Sequence, residues 1–170
     1  MRPDDRGARS GSIAVIADDF TGAAEIGGVA VRYGLATEVQ IAWAVSHDAE
    51  LTAVDSDTRS LPVREAARDA ASLAQRIGIS AARWVYKKVD SVLRGPVVAE
   101  IEAVLEPLGM RRALLVPANP ALGRVIRDGC YFIDGKPINQ TDFGQDPEYP
   151  ARSPDVLSCL LYTSPSPRDS

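Results

Sequence analysis

Ser12-Ile13-Ala14-Val15-Ile16-Ala17-Asp18-Asp19-Phe20-Thr21-Gly22-Ala23 is the stretch on which the fold turns. Residues 12–17 form a short, β-branched apolar run with no polar alternation, so they predict a strand covered on both faces rather than one with a wet side. Two carboxylates end it. Beyond them Ala24, Ile26, Val29, Ala30 and Tyr33 approximate a helical stripe, and Gly34 stands where a C-terminal cap belongs. Strand and helix together make one β-α unit.

The same alternation continues downstream. Further strands are expected at residues 37–43, 51–55, 83–89 and 112–116. A strong helix is expected after Ser60 and Pro62, with Val63, Ala66, Ala67, Ala70, Leu73, Ala74 and Ile77 on one face before Gly78. Pro96 opens another, with Val97, Ile101, Val104, Leu105 and Leu108 inward and Gly109 at its end. Parallel neighbours need crossover connections, so this order predicts a three-layer α/β domain: a mostly parallel sheet with helices on both faces. After Arg124 the pattern changes. Tyr131 to Ile133, Asp134-Gly135 and Lys136 to Ile138 read as a small C-terminal β-hairpin appended to the sheet.

The chain has 170 residues, of which 45% are hydrophobic, enough for one core. Its 19 Lys and Arg against 23 Asp and Glu leave it mildly acidic, which argues against a nucleic-acid or anionic-membrane partner. Cys130 and Cys159 have neither zinc spacing nor the density of a disulfide framework, so a reducing, cytoplasmic setting is expected. No run reaches the ~20 apolar residues of a membrane span. Residues 1–11 read as a loose leader and residues 12–156 as the domain. Residues 157–170, Ser/Pro-rich at their end and similar to translated sequencing-adapter DNA, are set aside as a non-native or disordered tail.

In open α/β sheets ligands bind beyond the carboxyl ends of the strands, and four polar clusters occupy such positions. Asp18 and Asp19 can accept hydrogen bonds from a ligand hydroxyl, take a proton or hold magnesium, although either can also serve as a helix cap. Arg59 stands at the expected entrance of a helix, where the dipole disfavours a cation. It suits a bidentate grip on a carboxylate, with a solvated Arg paired to Asp57 as the bland alternative. Lys87 to Gly95 is the densest cluster. Alternation puts Lys88 and Asp90 on one side and Lys87 and Val89 on the other, and Ser91, Arg94 and Gly95 lie near backbone N–H groups able to bind an anion. Pro117 to Arg124 reads as a stiff turn ending in Arg, and His47 carries no partner set for nucleophilic catalysis. There is neither a P-loop nor a GxGxxG fingerprint, which weakens a Rossmann-type oxidoreductase.

In this order the clusters resemble the N-terminal domain of four-carbon acid sugar kinases. Residues 17–23 are similar to that family's ADD-x-TGA, residues 57–60 to its DTRS, residues 87–95 to its KKxDSTLRG and residues 117–124 to its PAxPxxGR. Asp128-Gly129, Gly135-Lys136-Pro137 and Thr141-Asp142-Phe143 continue the likeness. It implies a sugar-acid-binding domain whose substrate contacts come from Asp19, Arg59, Lys88, Asp90, Ser91, Val92, Leu93, Arg94 and Gly95, with Asp18 and Asp19 as candidate catalytic residues. It also implies ATP and Mg2+ held by a separate C-terminal nucleotide-binding domain that these residues do not include. Val92 stands where the family pattern has Thr, Pro96 where Asn is common and Glu25 where Asp is frequent. A non-catalytic sensor of a small sugar acid is the alternative reading.

Overall fold

In the computed structural model, which describes residues 12–46, 48–79 and 82–162, β1 (Ile13–Ala17) is a central strand. It pairs in parallel with β3 (Leu51–Asp55) on one side and β4 (Trp84–Lys88) on the other, and β2 (Thr37–Gln40) pairs in parallel with β3. The order β2-β3-β1-β4 explains the unbroken apolar run of β1. Ala14 and Ile16 face one core with Val54, against Ala70, Leu73, Ala74 and Ile77 of α2 (Val63–Ile79) and Val104 of α3 (Val97–Leu105). Val15 and Ala17 face the other, with Ala53, against Ala23 and Ala30 of α1 (Phe20–Arg32). The expected three layers are present. The leader 1–11, His47 and tail residues 163–170 lie outside the described residues.

Three expectations need correction. The buried face of α1 is Gly22, Ala23, Gly27 and Ala30, whereas Tyr33 is exposed. Small residues let this helix lie close to the sheet; a Cβ on Gly27 would meet Val39 Cγ2 at 2.6 Å. The second strand stops at Gln40, and Ile41 beyond it is exposed. Residues 112–116 are not a strand. Their backbone makes no hydrogen bond with the described residues, and Leu114 and Val116 are 90% and 68% exposed. An apolar run is compatible with a strand, but a strand exists only where a neighbour accepts its hydrogen bonds.

The appendage is larger than a hairpin. β5 (Arg124–Arg127), β6 (Cys130–Ile133) and β7 (Lys136–Pro137) form a three-stranded antiparallel sheet. Its turns are Asp128-Gly129 and Asp134-Gly135, each with both residues at positive φ (51° and 78°, 49° and 80°), the conformation that matches the twist of two-residue hairpins. Buried Tyr131 and Ile138 pack with Val92, so the loop after β4 is held between the two sheets. Residues 156–162, partly within the segment set aside above, form helix α4 (Val156–Tyr162). No described helix is long and apolar enough to cross a membrane.

Because Ile16 is fully buried at the centre of the larger core, Ile16→Ala is expected to lower unfolding free energy by about 2–5 kcal/mol. Urea denaturation of the two proteins measures it.

Candidate functional site

The pairing register sets Ala17 opposite both Asp55 and Lys88, so β1, β3 and β4 end at one level. The loops leaving those ends meet around Arg59. Its Nε and Nη2 donate to the two oxygens of Asp18 at 2.9 and 3.0 Å, and its Nη1 donates to Asp19 Oδ2 at 2.5 Å. Asp90 Oδ1 lies 3.8 Å from Arg59 Nη2. The backbone follows the same convergence: the N–H groups of Thr58 and Arg59 both donate to the Asp18 carbonyl, at 3.0 and 3.2 Å. Helix α2 begins only at Val63, so Arg59 lies in the loop ahead of it and its placement owes nothing to the helix dipole. Burial draws the Arg59 guanidinium down, but the Asp18 hydrogen bonds and the charges of Asp18, Asp90 and Asp19 raise it above its ordinary value.

Asp18 and Asp19 divide their work. The Asp18 side chain is buried and fully occupied by Arg59, whereas the Asp19 side chain is 27% exposed. Asp19 also caps α1, its Oδ1 accepting from Gly22 N–H at 2.7 Å. Capping and the contact with Arg59 coincide in one residue. Asp55 adds to the negative field: burial first, then the charges of Asp57, Asp19 and Asp18, raise its carboxyl, outweighing the Asp57 N–H bonded to it.

The loop after β4 folds around Asp90. Asp90 Oδ2 accepts from the backbone N–H groups of Val92 and Arg94 at 3.0 and 3.1 Å and from Arg94 Nε at 3.1 Å, while Oδ1 accepts from Arg94 Nη2 at 2.9 Å. Burial pushes the Asp90 carboxyl up, but these bonds and the charges of Arg94 and Arg59 hold it below the ordinary carboxylate range. Arg94 reaches on to Asp146 at 3.1 Å and lies over the Phe143 ring. Within this loop Leu93 has φ 64°, a costly conformation for a branched side chain. Gly95 has φ 83°, and a Cβ there would meet the Arg59 carbonyl oxygen at 2.9 Å.

Asp18, Asp19, Arg59, Asp90 and Arg94 thus form one continuous charged cluster. Lys88 stands at its α1 side, its Nζ 3.3 Å from Glu25 and donating to the Val89 carbonyl. Ser91 turns toward the small sheet, where its Oγ accepts from Arg124 at 2.5 Å and its carbonyl from Tyr131 at 2.5 Å. Val92 and Leu93 are buried. The side chain that replaces the family's Thr points into the apolar cluster with Tyr131 and Ile138. An apolar cavity of about 260 Å³ behind this loop is lined by Leu93, Phe143, Tyr149 and Cys159 among others, and by none of Asp18, Asp19 and Arg59.

Thr58, Lys87 and Arg124 fall within the motifs read from sequence but were not among the candidate site residues, and Glu100, Asp146 and Tyr149 were not singled out at all. Glu100 left a readable trace, since it falls three residues after Val97 and four before Val104, an acid inside an apolar helical stripe. Asp146 left none, because its contact with Arg94 spans 52 residues, and the Arg124 motif gave no sign of its partner Ser91, 33 residues away.

A carboxyl held below its ordinary range stabilises the fold fully above its unfolded pKa of about 4, and this contribution fades as pH falls through the lower folded value. Asp90→Asn is therefore expected to lower the melting temperature at pH 7. The gap from the unaltered protein should narrow below about pH 4, as melting curves over that range will show.

A family model described as "Sugar-binding N-terminal domain" matches residues 13–167. The chain is 33% identical over 156 residues to a D-threonate kinase of Salmonella typhimurium, covering 90% of this chain and 37% of that enzyme. It is 32% identical over 145 residues to a D-erythronate kinase of Heliobacterium modesticaldum, covering 82% and 33%. A solved structure from Bordetella bronchiseptica, described as a domain of unknown function with bound citrate in a domain-swapped dimer, superposes with a TM-score of 0.80. It is 30% identical, with 90% of this chain and 41% of that one covered. The chain spans about a third of the length of these kinases. Matched over nearly its whole length by that family model, the chain belongs to the family of sugar-binding N-terminal domains.

Proposed function

We propose that this domain binds a four-carbon sugar acid of the threonate or erythronate type at the Asp18–Asp19–Arg59 cluster. It would present one hydroxyl for phosphorylation by ATP bound to a separate nucleotide-binding domain. The observation that carries this reading is the Arg59 fork. A guanidinium beside a half-exposed carboxylate, at the ends of three parallel strands, suits a ligand that carries both a carboxylate and hydroxyls. The kinases of threonate, erythronate and 3-oxo-tetronate among its relatives support the substrate class.

Binding at such a fork is an exchange. Asp18 occupies Nε and Nη2 of Arg59 from the buried side, so an incoming carboxylate competes for Nη1 with Asp19. Asp19 cannot move far, because Gly22 N–H holds its other oxygen. The oxygen it gives up is then free to accept from a ligand hydroxyl, and one displacement fixes both ends of a short hydroxy acid. Phosphoryl transfer asks the protein chiefly to position reactants and neutralise charge, and this domain supplies the positioning of the acceptor.

Magnesium fits this cluster poorly. Among the described residues no group of three or more His, Cys, Asp or Glu side chains is placed to hold a metal ion, and the oxygens of Asp18 and Asp19 are taken by Arg59 and Gly22. Magnesium and ATP therefore belong, in this reading, to the nucleotide-binding domain, and the working enzyme would act in the cytoplasm, the setting to which its two unpaired cysteines point.

Calorimetric titration of the chain with D-threonate and D-erythronate is expected to show binding of at least one. Arg59→Ala should weaken it by about 10- to 100-fold, the loss expected for hydrogen bonds to a charged group. Unchanged affinity in Arg59→Ala would remove Arg59 from the site. Mixed with ATP and Mg2+, the chain alone is expected to yield no phosphorylated tetronate.

A further inference from the structure

Directly beneath the charged cluster lies a second set of polar groups with no part in the proposed chemistry. Glu100 of α3 is 1% exposed, and its Oε1 lies 3.1 Å from Lys87 Nζ on β4, itself nearly buried. The same oxygen accepts a short hydrogen bond from the hydroxyl of Thr58, which is fully buried in the loop between β3 and α2. Ser56 Oγ is 2.8 Å from the Thr58 hydroxyl and donates to the Ala17 carbonyl at 2.7 Å. Three segments separate in sequence are joined at one carboxylate oxygen. A buried ion pair is a weak source of stability, because desolvation offsets its attraction, and well-packed apolar side chains often serve a core as well or better. What such a pair supplies is a fixed geometry for whatever it bonds.

Here it bonds the residue before Arg59. The Thr58–Arg59 backbone is also held by Asp18, whose carbonyl takes both N–H groups, and by Tyr149, whose hydroxyl donates to the Arg59 carbonyl at 2.9 Å. Gly95 closes the remaining side, since a side chain there would strike that carbonyl. Asp57, immediately before Thr58, is at φ 49°, so this loop is not left in its lowest-energy conformation. A guanidinium at the end of a flexible side chain binds a carboxylate well only if its backbone is fixed.

We infer that Glu100, pinned by Lys87, is a positioning residue for sugar-acid recognition: through the Thr58 hydroxyl it sets the backbone from which Arg59 reaches Asp18, Asp19 and the ligand. The inference rests on the reading of Arg59 as the ligand's anchor, but its structural half can be tested without ligand. Thr58→Val removes the hydroxyl at nearly constant shape and Thr58→Ser restores it, while Glu100→Gln keeps an acceptor for Thr58 and discharges the pair.

Two readouts are taken on the 170-residue chain: exchange of the Arg59 Nε proton by NMR without ligand, and calorimetric affinity for D-threonate and D-erythronate. Thr58→Val should speed Nε exchange and weaken sugar-acid binding by about tenfold, the order of loss expected when a binding group is misplaced. Its melting temperature should stay close to that of the unaltered chain, and Thr58→Ser should recover both readouts. Glu100→Gln should fall between, and if it fails to fold, the two Thr58 variants decide alone. Unchanged Nε exchange and affinity in Thr58→Val would overturn the inference, as would losses that Thr58→Ser does not recover. If even the unaltered chain binds neither acid, the substrate reading fails. Nε exchange then still decides whether Glu100 and Thr58 position Arg59.

Discussion

The guanidinium of Arg59, divided between Asp18 and Asp19, is the interaction on which the rest of the site depends. It ties the end of β1 to the loop after β3, and through Asp90 it touches the loop after β4. Asp18 is buried, so loss of Arg59 would leave an uncompensated charge in the interior, a defect typically worth about 3–5 kcal/mol. The pair is therefore structural at its inner edge. At its outer edge Nη1 meets the partly exposed Asp19, and in the proposed reading this is the contact that a ligand carboxylate replaces. A single fork with one buried and one exposed partner would then give a site that is ordered before the ligand arrives.

The larger architecture serves that arrangement. A central strand covered on both faces permits no polar residue until it ends, which concentrates the first available carboxylates at its carboxyl terminus. The aligned ends of its two parallel neighbours deliver Arg59 and Asp90 to the same level. Gly22 and Gly27 bring α1 close against the sheet, which seats its N-cap Asp19 at the strand ends. The small antiparallel sheet props the other flank, where Tyr131 bonds the Ser91 carbonyl and Val92 is buried against it. Burial of Val92 also bears on the departure from the family's Thr. Val carries a second methyl where Thr carries its hydroxyl, which adds to the appendage's core, and the backbone N–H of Val92 serves Asp90 in either case.

Local and periodic signals made much of this legible in the sequence. The doubly buried run at residues 12–17, the long stripe of α2 and the Asp134-Gly135 turn each carry their structure within a short window. Asp128-Gly129 holds the same turn signal as Asp134-Gly135, but it was read only as part of the family likeness and the additional strand β5 was not expected. Gathering the polar clusters at strand ends also required only the order of elements. Partnership was not legible. Residues 112–116 have a strand's composition but no strand neighbour among the described residues. Arg59 looked like a helix-entrance cation until three further loop residues, Ser60 to Pro62, proved to separate it from α2. The buried Lys87–Glu100–Thr58 set depends on contacts across 42 residues, and only the misplaced acid in the α3 stripe hinted at it.

The most direct test of the site as a whole is a ¹⁵N NMR titration of the chain with D-threonate and D-erythronate. The account predicts the largest shifts at the amides of Asp18, Asp19, Gly22 and Arg59, at the Arg59 Nε, and along residues 91–95, with little change in the outer strand β7. Shifts concentrated instead around Phe143, Tyr149 and Cys159, which line the apolar cavity, with none at Arg59, would contradict it.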